Sequence, residues 1–239
     1  MKSNRLISVL IPIFNSEKYI KECIDSVLNQ DYRPIEIVIV DDGSTDNSYK
    51  IVKSYKTNLI KYYYQQNQGN ASARNLCFEK STGDFIAFLD SDDYFLPGKL
   101  SAQIRYLSCY SDAELVFTKF INFYFTDYSR KEISSEKYHN LYGYYPKQED
   151  KHQCTLLARR QLIEKVGPRN TDLVVGNDLE WLYRMKYKYN INLNHFIDNV
   201  YYMRRCHPYG IQSTNKHHTS EVKKIIFSYI RNNIKKSAL

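Results

Sequence analysis

Residues 85–93 read Phe85-Ile86-Ala87-Phe88-Leu89-Asp90-Ser91-Asp92-Asp93, and this stretch decides the fold. Five apolar residues without polar alternation predict a strand that is buried on both faces. The three carboxylates that follow should lie where this strand leaves the core. Carboxylates this close together repel each other unless they share a cation, and their hard oxygen atoms suit Mg²⁺, Mn²⁺ or Ca²⁺. The stretch therefore predicts a divalent-metal site at the carboxyl end of a strand, with a solvated acidic turn as the alternative.

The residues before this strand alternate between strand and helix patterns. Strands are predicted at residues 6–14, 35–40 and 59–64, and helices at residues 17–30, 45–55 and about 69–78. Such alternation is typical of a parallel, doubly wound α/β sheet, whose ligand crevice lies beyond the carboxyl ends of the strands. A second acidic pair, Asp41-Asp42, also falls at a predicted strand end. Because both acidic clusters directly follow a predicted strand, a shared functional site is favoured over two unrelated turns.

The second half of the chain has a less regular pattern. After Pro97 we expect a helix to about residue 110, a strand at 114–124, helices at 155–165 and 176–189, a strand at 193–203 and a last helix at 221–235. Residues 126–153 are polar and aromatic and fit no regular element. A connection this long is usually functional or mobile. Its Tyr142, Tyr144 and Tyr145 suit stacking on sugar faces, so we expect acceptor recognition here.

The cysteine content indicates a reducing compartment, and the hydropathy indicates no membrane span. The five cysteines form no Cys-x-x-Cys pair, which argues against a disulfide framework or a zinc site. Lys2 and Arg5 precede an apolar stretch, as in a signal peptide, but no small-residue cleavage site follows. No apolar run approaches the length of about 18 residues that a membrane span needs. We therefore expect a cytoplasmic protein.

The basic charge is concentrated at one end of the chain. The net charge is +8, and the residues from Arg204 onward hold eight lysines or arginines and one acidic residue, so this tail alone carries +7. A nucleic-acid-binding domain would spread its basic residues over its working face. We expect no nucleic-acid partner. The chain also contains neither a Gly-x-Gly-x-x-Gly fingerprint nor a P-loop, so metal and basic side chains would have to hold any phosphates.

Five motifs, in order, resemble those of the inverting glycosyltransferase family 2. They are Ser-Val-Leu-Ile-Pro-Ile-Phe-Asn at 8–15 with Glu17, Tyr19 and residues 26–30; Val-Asp-Asp-Gly-Ser-Thr-Asp at 40–46; Asn-Gln-Gly-Asn-Ala-Ser-Ala-Arg-Asn at 67–75; Asp-Ser-Asp-Asp at 90–93; and Gly-Asn-Asp-Leu-Glu-Trp at 176–181. The resemblance covers about residues 5–210. It implies a GT-A fold, which is a Rossmann-like, mostly parallel sheet with helices on both faces. It also implies transfer of a sugar from a nucleotide diphosphate donor, with a UDP-sugar favoured.

The resemblance assigns donor-site roles to nine positions. Pro12, Phe14 and Glu17 would border the nucleotide, Asp42 would bind its base, and Asn67 and Arg74 would complete that side of the nucleotide site. In the Asp-x-Asp motif, Asp90 would lie near the ribose, Ser91 would be the middle residue, and Asp92 would bind Mn²⁺ or Mg²⁺ directly. Four of them have a structural alternative. Pro12 and Phe14 could belong to the core and strand exit, Asp42 to a helix-capping turn, and Arg74 to a helix surface. Asp93 is expected to cap the turn before Pro97.

The same resemblance makes Asp178 the catalytic base. Inversion by single displacement needs one carboxylate on the acceptor side of the sugar, as in an inverting glycosidase. The family usually has an acidic residue where this chain has Asn177, which puts a paired-carboxylate role in doubt. Glu180 is a weaker candidate base, and Asp178 could be an ordinary first-turn acidic residue.

The loop after the last strand and the C-terminal tail complete the expectations. His207 could reach the metal or the diphosphate, or be a solvated loop histidine. Residues 1–218 are expected to form the GT-A domain, with a nucleotide-binding half (1–110) and an acceptor-binding half (111–218). Residues 219–239 are expected to form a basic amphipathic helix that packs on the domain, binds an anionic membrane peripherally or mediates a homodimer.

The expected acceptor is a saccharide or a lipid-linked molecule, in cell-surface polysaccharide or glycolipid synthesis. Two other functions remain open. One is a non-catalytic or donor-binding GT-A scaffold, which Asn177 keeps open. The other is a nucleotidyltransferase, which would need a basic Gly-rich loop where Asn15-Ser16-Glu17 stands.

Overall fold

The computed structural model describes residues 5–125, 130–132 and 151–206. Several predicted features lie outside the described residues. They are the acceptor residues Tyr142, Tyr144 and Tyr145, the donor-loop His207 and the tail helix 219–239. Within the described ranges, no helix has both the length and the apolar character needed to cross a membrane.

The first half of the chain forms four parallel strands in the order β3-β2-β1-β4. The strands are β1 (Ile7–Ile13), β2 (Ile35–Asp41), β3 (Ile60–Tyr64) and β4 (Phe85–Phe88), and the connecting helices are α1 (Ile20–Leu28), α2 (Ser48–Ser54) and α3 (Asn70–Lys80). The predicted alternation of strands and helices is confirmed. β1 and β2 show no polar alternation because both of their faces are covered.

Helices cover the two faces of this sheet. Alternate β1 residues Ile7, Val9 and Ile11 pack in one apolar cluster with α1, whereas Leu10 packs in a second cluster with Ala73 of α3. This division follows from the two-residue period of a strand, which sends successive side chains to opposite faces. The sheet is therefore a buried layer, and its strand ends are where polar side chains reach solvent.

The second half extends the sheet in the order β4-β8-β6-β9-β5. Its elements are β5 (Tyr94–Phe95), α4 (Lys99–Cys109), β6 (Leu115–Phe125), β7 (Arg130–Glu132), a 3₁₀ helix (Gln153–Thr155), β8 (Leu157–Arg159), α5 (Arg160–Val166), α6 (Asn177–Tyr183), a π-helical turn (Arg184–Lys188) and β9 (Phe196–Arg205). β8 runs antiparallel to both β4 and β6, and β9 runs parallel to β6. Parallel and antiparallel pairs thus meet at β4, directly beside the acidic turn.

The helix predicted at residues 155–165 is partly wrong. Residues Leu157–Arg159 form strand β8, and the helix begins only at Arg160. Ala158 pairs with both Ile86 of β4 and Leu115 of β6, so tertiary pairing overrides local helix preference here. The two-residue strand β5, which pairs with β9, was also not predicted.

Candidate active site

The polar site lies at the carboxyl ends of β1, β2 and β4. Ile13, the last residue of β1, pairs with Asp41 at the end of β2, and β4 flanks β1 on its other side. Parallel strands end at the same edge of a sheet, so Asp42 and Asp90 approach one crevice. Phe14 follows β1 at this edge with 50% of its surface exposed, and Pro12 is half-buried within β1. The exposed ring of Phe14 excludes the core alternative for this residue.

The acidic turn after β2 fastens the loop that precedes α3. Asp42 accepts hydrogen bonds from the backbone N–H of Gln68 (2.8 Å) and Gly69 (2.9 Å) and from Nε2 of Gln65 (2.6 Å). Its neighbour Asp41 accepts from the Tyr62 hydroxyl (2.8 Å). Asp42 therefore holds the β3–α3 loop, a structural role that differs from the helix-capping alternative.

Gly43 brings this loop against the acidic turn. Its φ of +83° lies in the left-handed region, and a Cβ at this position would meet the backbone nitrogen of Asn67 at 3.0 Å. Only glycine accommodates both features without strain. Asn67 is exposed, and this close approach holds its backbone beside the turn.

Glu17 is fixed at the start of α2. Its Oε2 accepts from both the backbone N–H and the Nδ2 of Asn47, each at 2.9 Å. The backbone N–H of Glu17 in turn donates to Asp46 (2.9 Å). The carboxylate thus already has partners within the chain, although it borders the predicted nucleotide site.

Arg74 and Asp90 form a largely buried ion pair. Arg74 Nη2 donates to Asp90 Oδ1 at 2.6 Å, and Arg74 is only 4% exposed. Burial alone would raise the pKa of Asp90, but the Arg74 guanidinium and other neighbours outweigh it and lower that pKa. The surface alternative for Arg74 is therefore wrong. The hydroxyl oxygens of Ser91 and Ser16 lie 2.7 Å apart and form one hydrogen bond, which connects the turn to the loop after β1.

Asp93 joins the acidic turn to β9. Its carboxylate accepts from the Tyr202 hydroxyl and from the backbone N–H of Arg205, both in β9, and the residue is 4% exposed. Burial, followed by the charges of Asp92 and Asp90, raises the pKa of Asp93 well above its ordinary value. The expected local cap before Pro97 is corrected: Asp93 connects the two halves of the sheet.

Asp92 is half-buried in this turn, and its backbone oxygen accepts from Arg205 Nε at 2.7 Å. Among the described residues, no three His, Cys, Asp or Glu side chains are grouped in a way that could hold a metal. One hard carboxylate nevertheless fits Mg²⁺ or Mn²⁺, because such ions are often bound through one or two carboxylates together with phosphate oxygens and water. The donor set fits a metal that arrives with a diphosphate.

The candidate base lies in the first turn of α6. Asp178 is half-buried, and no hydrogen bond to its side chain is found in the described part of the chain. Asn177 is buried and donates to the carbonyl of Leu173 (3.3 Å). Glu180 is buried in an ion pair with Arg184 (3.1 Å), which places this alternative base in a structural contact.

The charges of both Asp90 and Asp178 act on two residues that the sequence reasoning missed. The guanidinium of Arg169 packs 4.4 Å from the ring centre of Phe88 in β4 and 4.3 Å from that of Trp181 in α6. Burial, then Arg74, lowers the pKa of Arg169 to about 9, while Asp178 and other groups oppose this shift. Arg169 follows Gly167-Pro168 in a loop, so no periodic pattern marked it.

His152 is the second missed residue. Its ring stacks on Tyr202, with ring centres 5.5 Å apart and planes 19° apart. Burial, then Arg204, lowers the pKa of His152 to about 4, and the charges of Asp90 and Asp178 act against this shift. The Asp178 charge also favours the protonated form of Arg74. The two carboxylates therefore share one electrostatic environment.

Solved structures establish the class of fold. Staphylococcus aureus TarS (residues 1–349) in complex with UDP-GlcNAc superposes with a TM-score of 0.70 at 24% identity, over 92% of this chain and 65% of that one. A mannosyltransferase of Pyrobaculum calidifontis, in complex with GDP-Man and Mn²⁺, gives a TM-score of 0.70 at 18% identity, over 96% and 68%. The GT-A fold predicted from the sequence is confirmed.

The chain belongs to the glycosyl transferase family 2, whose sequence profile matches residues 8–167. An uncharacterized glycosyltransferase of Rickettsia typhi is 32% identical over 75% of this chain and 59% of its own length. Another from Haemophilus influenzae is 44% identical over 43% of this chain and 42% of its own length. The family expectation is confirmed, and the chain spans less than two thirds of these relatives.

Proposed function

We propose that this chain transfers a sugar, with inversion, from a nucleotide diphosphate donor to an acceptor hydroxyl. The observation that supports this most strongly is the shared environment of Asp90 and Asp178. Arg74 donates a hydrogen bond to Asp90, and the charge of Asp178 acts to raise the pKa of Arg74. A donor-side carboxylate and a candidate base, 88 positions apart in sequence, thus both interact electrostatically with Arg74, which supports the arrangement that a single displacement requires.

In the proposed reaction Asp178 acts as general base. Its ionised carboxylate takes the proton of the acceptor hydroxyl while the acceptor oxygen forms a bond to the anomeric carbon. The bond between that carbon and the diphosphate oxygen breaks, and the diphosphate leaves with the electron pair. Attack from the side opposite the leaving group inverts the anomeric centre. Glu180 is already paired with Arg184, which favours Asp178 for this role.

The donor residues act by binding and orientation. Phe14 offers an exposed ring and Asn67 an exposed amide beside the Asp42 turn, and Pro12 and Glu17 lie along the same edge. The Asp90–Arg74 pair and Ser91 fix the turn that carries Asp92. These groups are proposed to hold the nucleoside so that the anomeric carbon faces Asp178.

Asp92 is the proposed protein ligand of Mn²⁺ or Mg²⁺. When bound, the metal supplies positive charge to the diphosphate as it leaves. The Mn²⁺ and GDP-Man in the Pyrobaculum enzyme, which shares the fold, support metal use. We favour a UDP-sugar because TarS, of the same fold, binds UDP and UDP-GlcNAc. His207 remains a proposed second contact to the metal or the diphosphate.

The wider setting is also a proposal. Residues 1–110 would bind the nucleotide, and residues 111–218 would bind a saccharide or lipid-linked acceptor of cell-surface polysaccharide or glycolipid synthesis. The basic residues 219–239 would pack on the domain, join two copies or contact the inner face of an anionic membrane. Flotation with anionic liposomes, with and without these residues, tests the last option.

Two substitutions test the core of the proposal. Wild-type chain should be stabilised against heat by UDP-, GDP- or dTDP-sugars, and more strongly with Mn²⁺, because a ligand that binds only the folded state raises its stability. Asp92→Asn should abolish the Mn²⁺-dependent part of this shift. Asp178→Asn should retain the shift but lower Mn²⁺-dependent donor turnover by about 10²–10⁴-fold, the usual contribution of a general base.

Asp172→Asn is the matched control, because Asp172 is exposed in the loop before α6. It should change neither measurement. Full turnover in Asp178→Asn would remove the base assignment. Donor binding without turnover in the wild-type chain would favour the donor-binding scaffold that Asn177 suggests.

A further inference from the structure

No role has yet been assigned to the 3₁₀ helix Gln153–Thr155 and the preceding His152. This short helix packs against β4, β6 and β9. Gln153 Oε1 accepts from Arg169 Nη2 at 2.8 Å, and the Cys154 thiol contributes to the lowered pKa of Asp90. The segment therefore bridges the acidic turn and the loop before α6.

His152 is linked to the acidic turn through Tyr202, and to the base helix through the adjacent Gln153 and Arg169. On one side it stacks on Tyr202, whose hydroxyl donates to Asp93. On the other side the adjacent Gln153 binds Arg169, whose guanidinium packs on Trp181 of α6. The proposed reaction places the transferred sugar in this interval, between the nucleotide and the base.

The hydrogen bonding of the ring determines which nitrogen carries the proton. His152 Nδ1 accepts from the backbone N–H of Cys154 at 3.3 Å. The proton of a neutral imidazole must then lie on Nε2. A pKa of about 4 keeps the ring neutral at physiological pH. In the ranges that the structure describes, no hydrogen bond from Nε2 to another residue is found. Because His152 is only half-buried, this N–H can donate to water or to an oxygen of a bound ligand.

We propose that His152 Nε2–H donates a hydrogen bond to a hydroxyl oxygen of the transferred sugar, and so helps to select that sugar. This inference rests on the proposed function. A neutral donor suits a neutral hydroxyl, whereas a diphosphate would be better matched by a cation. The stacked Tyr202 and the Cys154 N–H fix the ring, so the direction of its donor is set before the sugar arrives.

The test separates binding of the sugar from binding of the nucleotide. His152→Phe keeps an aromatic ring against Tyr202 but has no N–H, and His152→Gln keeps a donor. Dissociation constants are measured by calorimetry with Mn²⁺ for UDP against UDP-GlcNAc, and for GDP against GDP-mannose. His152→Phe should weaken binding of the sugar nucleotide by about 5–10-fold, the usual effect of one hydrogen bond, and leave the nucleoside diphosphate unchanged.

His152→Gln should recover part of this loss. His195→Phe is the control, because His195 lies beside Tyr106 of α4 and should change neither constant. If His152→Phe does not fold, His152→Leu against His152→Gln gives the same comparison. Equal loss for nucleotide and sugar nucleotide, or no loss for either, would overturn the inference and leave the proposed function standing. A wild-type chain that binds no nucleotide or sugar nucleotide would overturn both.

Discussion

The two acidic turns look alike in sequence but have different partners in space. The Asp41-Asp42 turn binds Ser44, Tyr62 and residues 65–69, which lie within 3–27 positions along the chain. The turn at residues 90–93 binds Arg74 in α3 and Tyr202 and Arg205 in β9, the last of these 112 positions away. The first turn shapes one loop, and the second joins the two halves of the molecule.

This difference indicates how each turn can contribute to function. Among the described residues, the Asp42 carboxylate is bound by the β3–α3 loop and the Asp42 N–H donates to Ile13 of the neighbouring β1, so the contacts of this turn stay within the parallel half of the sheet. The second turn works only when β9 and the 3₁₀ helix are in place. If Asp92 binds the donor's metal as proposed, donor binding should therefore depend on the stability of this assembly. Substitutions in the two turns should separate these behaviours.

Asp93→Ala should have the largest effect on stability. It leaves two buried donors, the Tyr202 hydroxyl and the Arg205 N–H, without their acceptor, at about 1–3 kcal/mol each. We expect a loss of about 2–6 kcal/mol in the free energy of unfolding, measured by urea denaturation. Asp93→Asn, which keeps one acceptor oxygen, should lose less. If Asp93→Ala lowers the free energy of unfolding by less than about 0.5 kcal/mol, as a surface substitution does, Asp93 does not connect the two halves of the sheet.

Lys99 tests whether a buried charge near the second turn carries a cost. It is 0% exposed, its Nζ donates to Gln103 and lies 4.2 Å from the ring centre of Phe95, and burial lowers its pKa to about 7 from 10.5. Below pH 7 both the folded and unfolded chains bind the proton. Between pH 7 and 10.5 only the unfolded chain does, so the free energy of unfolding should rise with pH, by up to about 5 kcal/mol.

Lys99→Met should remove this rise, as measured by urea denaturation at pH 7 and pH 9.5. Lys21→Met is the control, because the Lys21 side chain is 72% exposed in an ion pair within α1. Its stability should follow the same pH dependence as the wild type. The same dependence in Lys99→Met would show that Lys99 does not titrate in this range.

Gly43→Ala tests the packing of the first turn. The substitution forces a side chain into φ +83° and places its Cβ 3.0 Å from the backbone nitrogen of Asn67. We expect a loss of about 1–3 kcal/mol in the free energy of unfolding, in the range of local backbone strain. Because Asn67 would move, nucleotide affinity should fall as well. A Cβ at Gly69, where φ is +87°, would meet no atom within 4 Å. Gly69→Ala therefore measures the cost of a positive φ without a steric contact.

Asp42→Asn should have the smallest effect on stability. The carboxylate accepts from the Gln68 N–H at Oδ1 and from the Gly69 N–H at Oδ2, so the amide keeps only one of these two contacts, and water can replace the other in this partly exposed loop. We expect a change within about 1 kcal/mol. If Asp42 recognises the nucleotide base, affinity for the nucleoside diphosphate should fall much more than stability does. Unchanged affinity would restrict Asp42 to its loop-fastening role.

Sequence reasoning succeeded where signals are local. The apolar runs of β1, β2 and β4 and the turns after them identified the parallel sheet, the acidic edge and Asp178 in its helix. It failed at β8, His152 and Arg169. Their environments depend on residues far along the chain, and no spacing in the segment 152–169 records that Ala158 pairs with two strands or that Arg169 packs between Phe88 and Trp181.

The sequence by itself determined the family, the parallel half of the sheet and the carboxylates available for chemistry, because strand period, turn residues and ordered motifs are local properties. The tertiary structure alone decided how those carboxylates divide their work. Asp90 is held by Arg74, Asp93 by β9, and Glu180 by Arg184. The physical reason is burial: a buried carboxylate needs partners, and only the folded chain determines which partners lie within hydrogen-bonding distance.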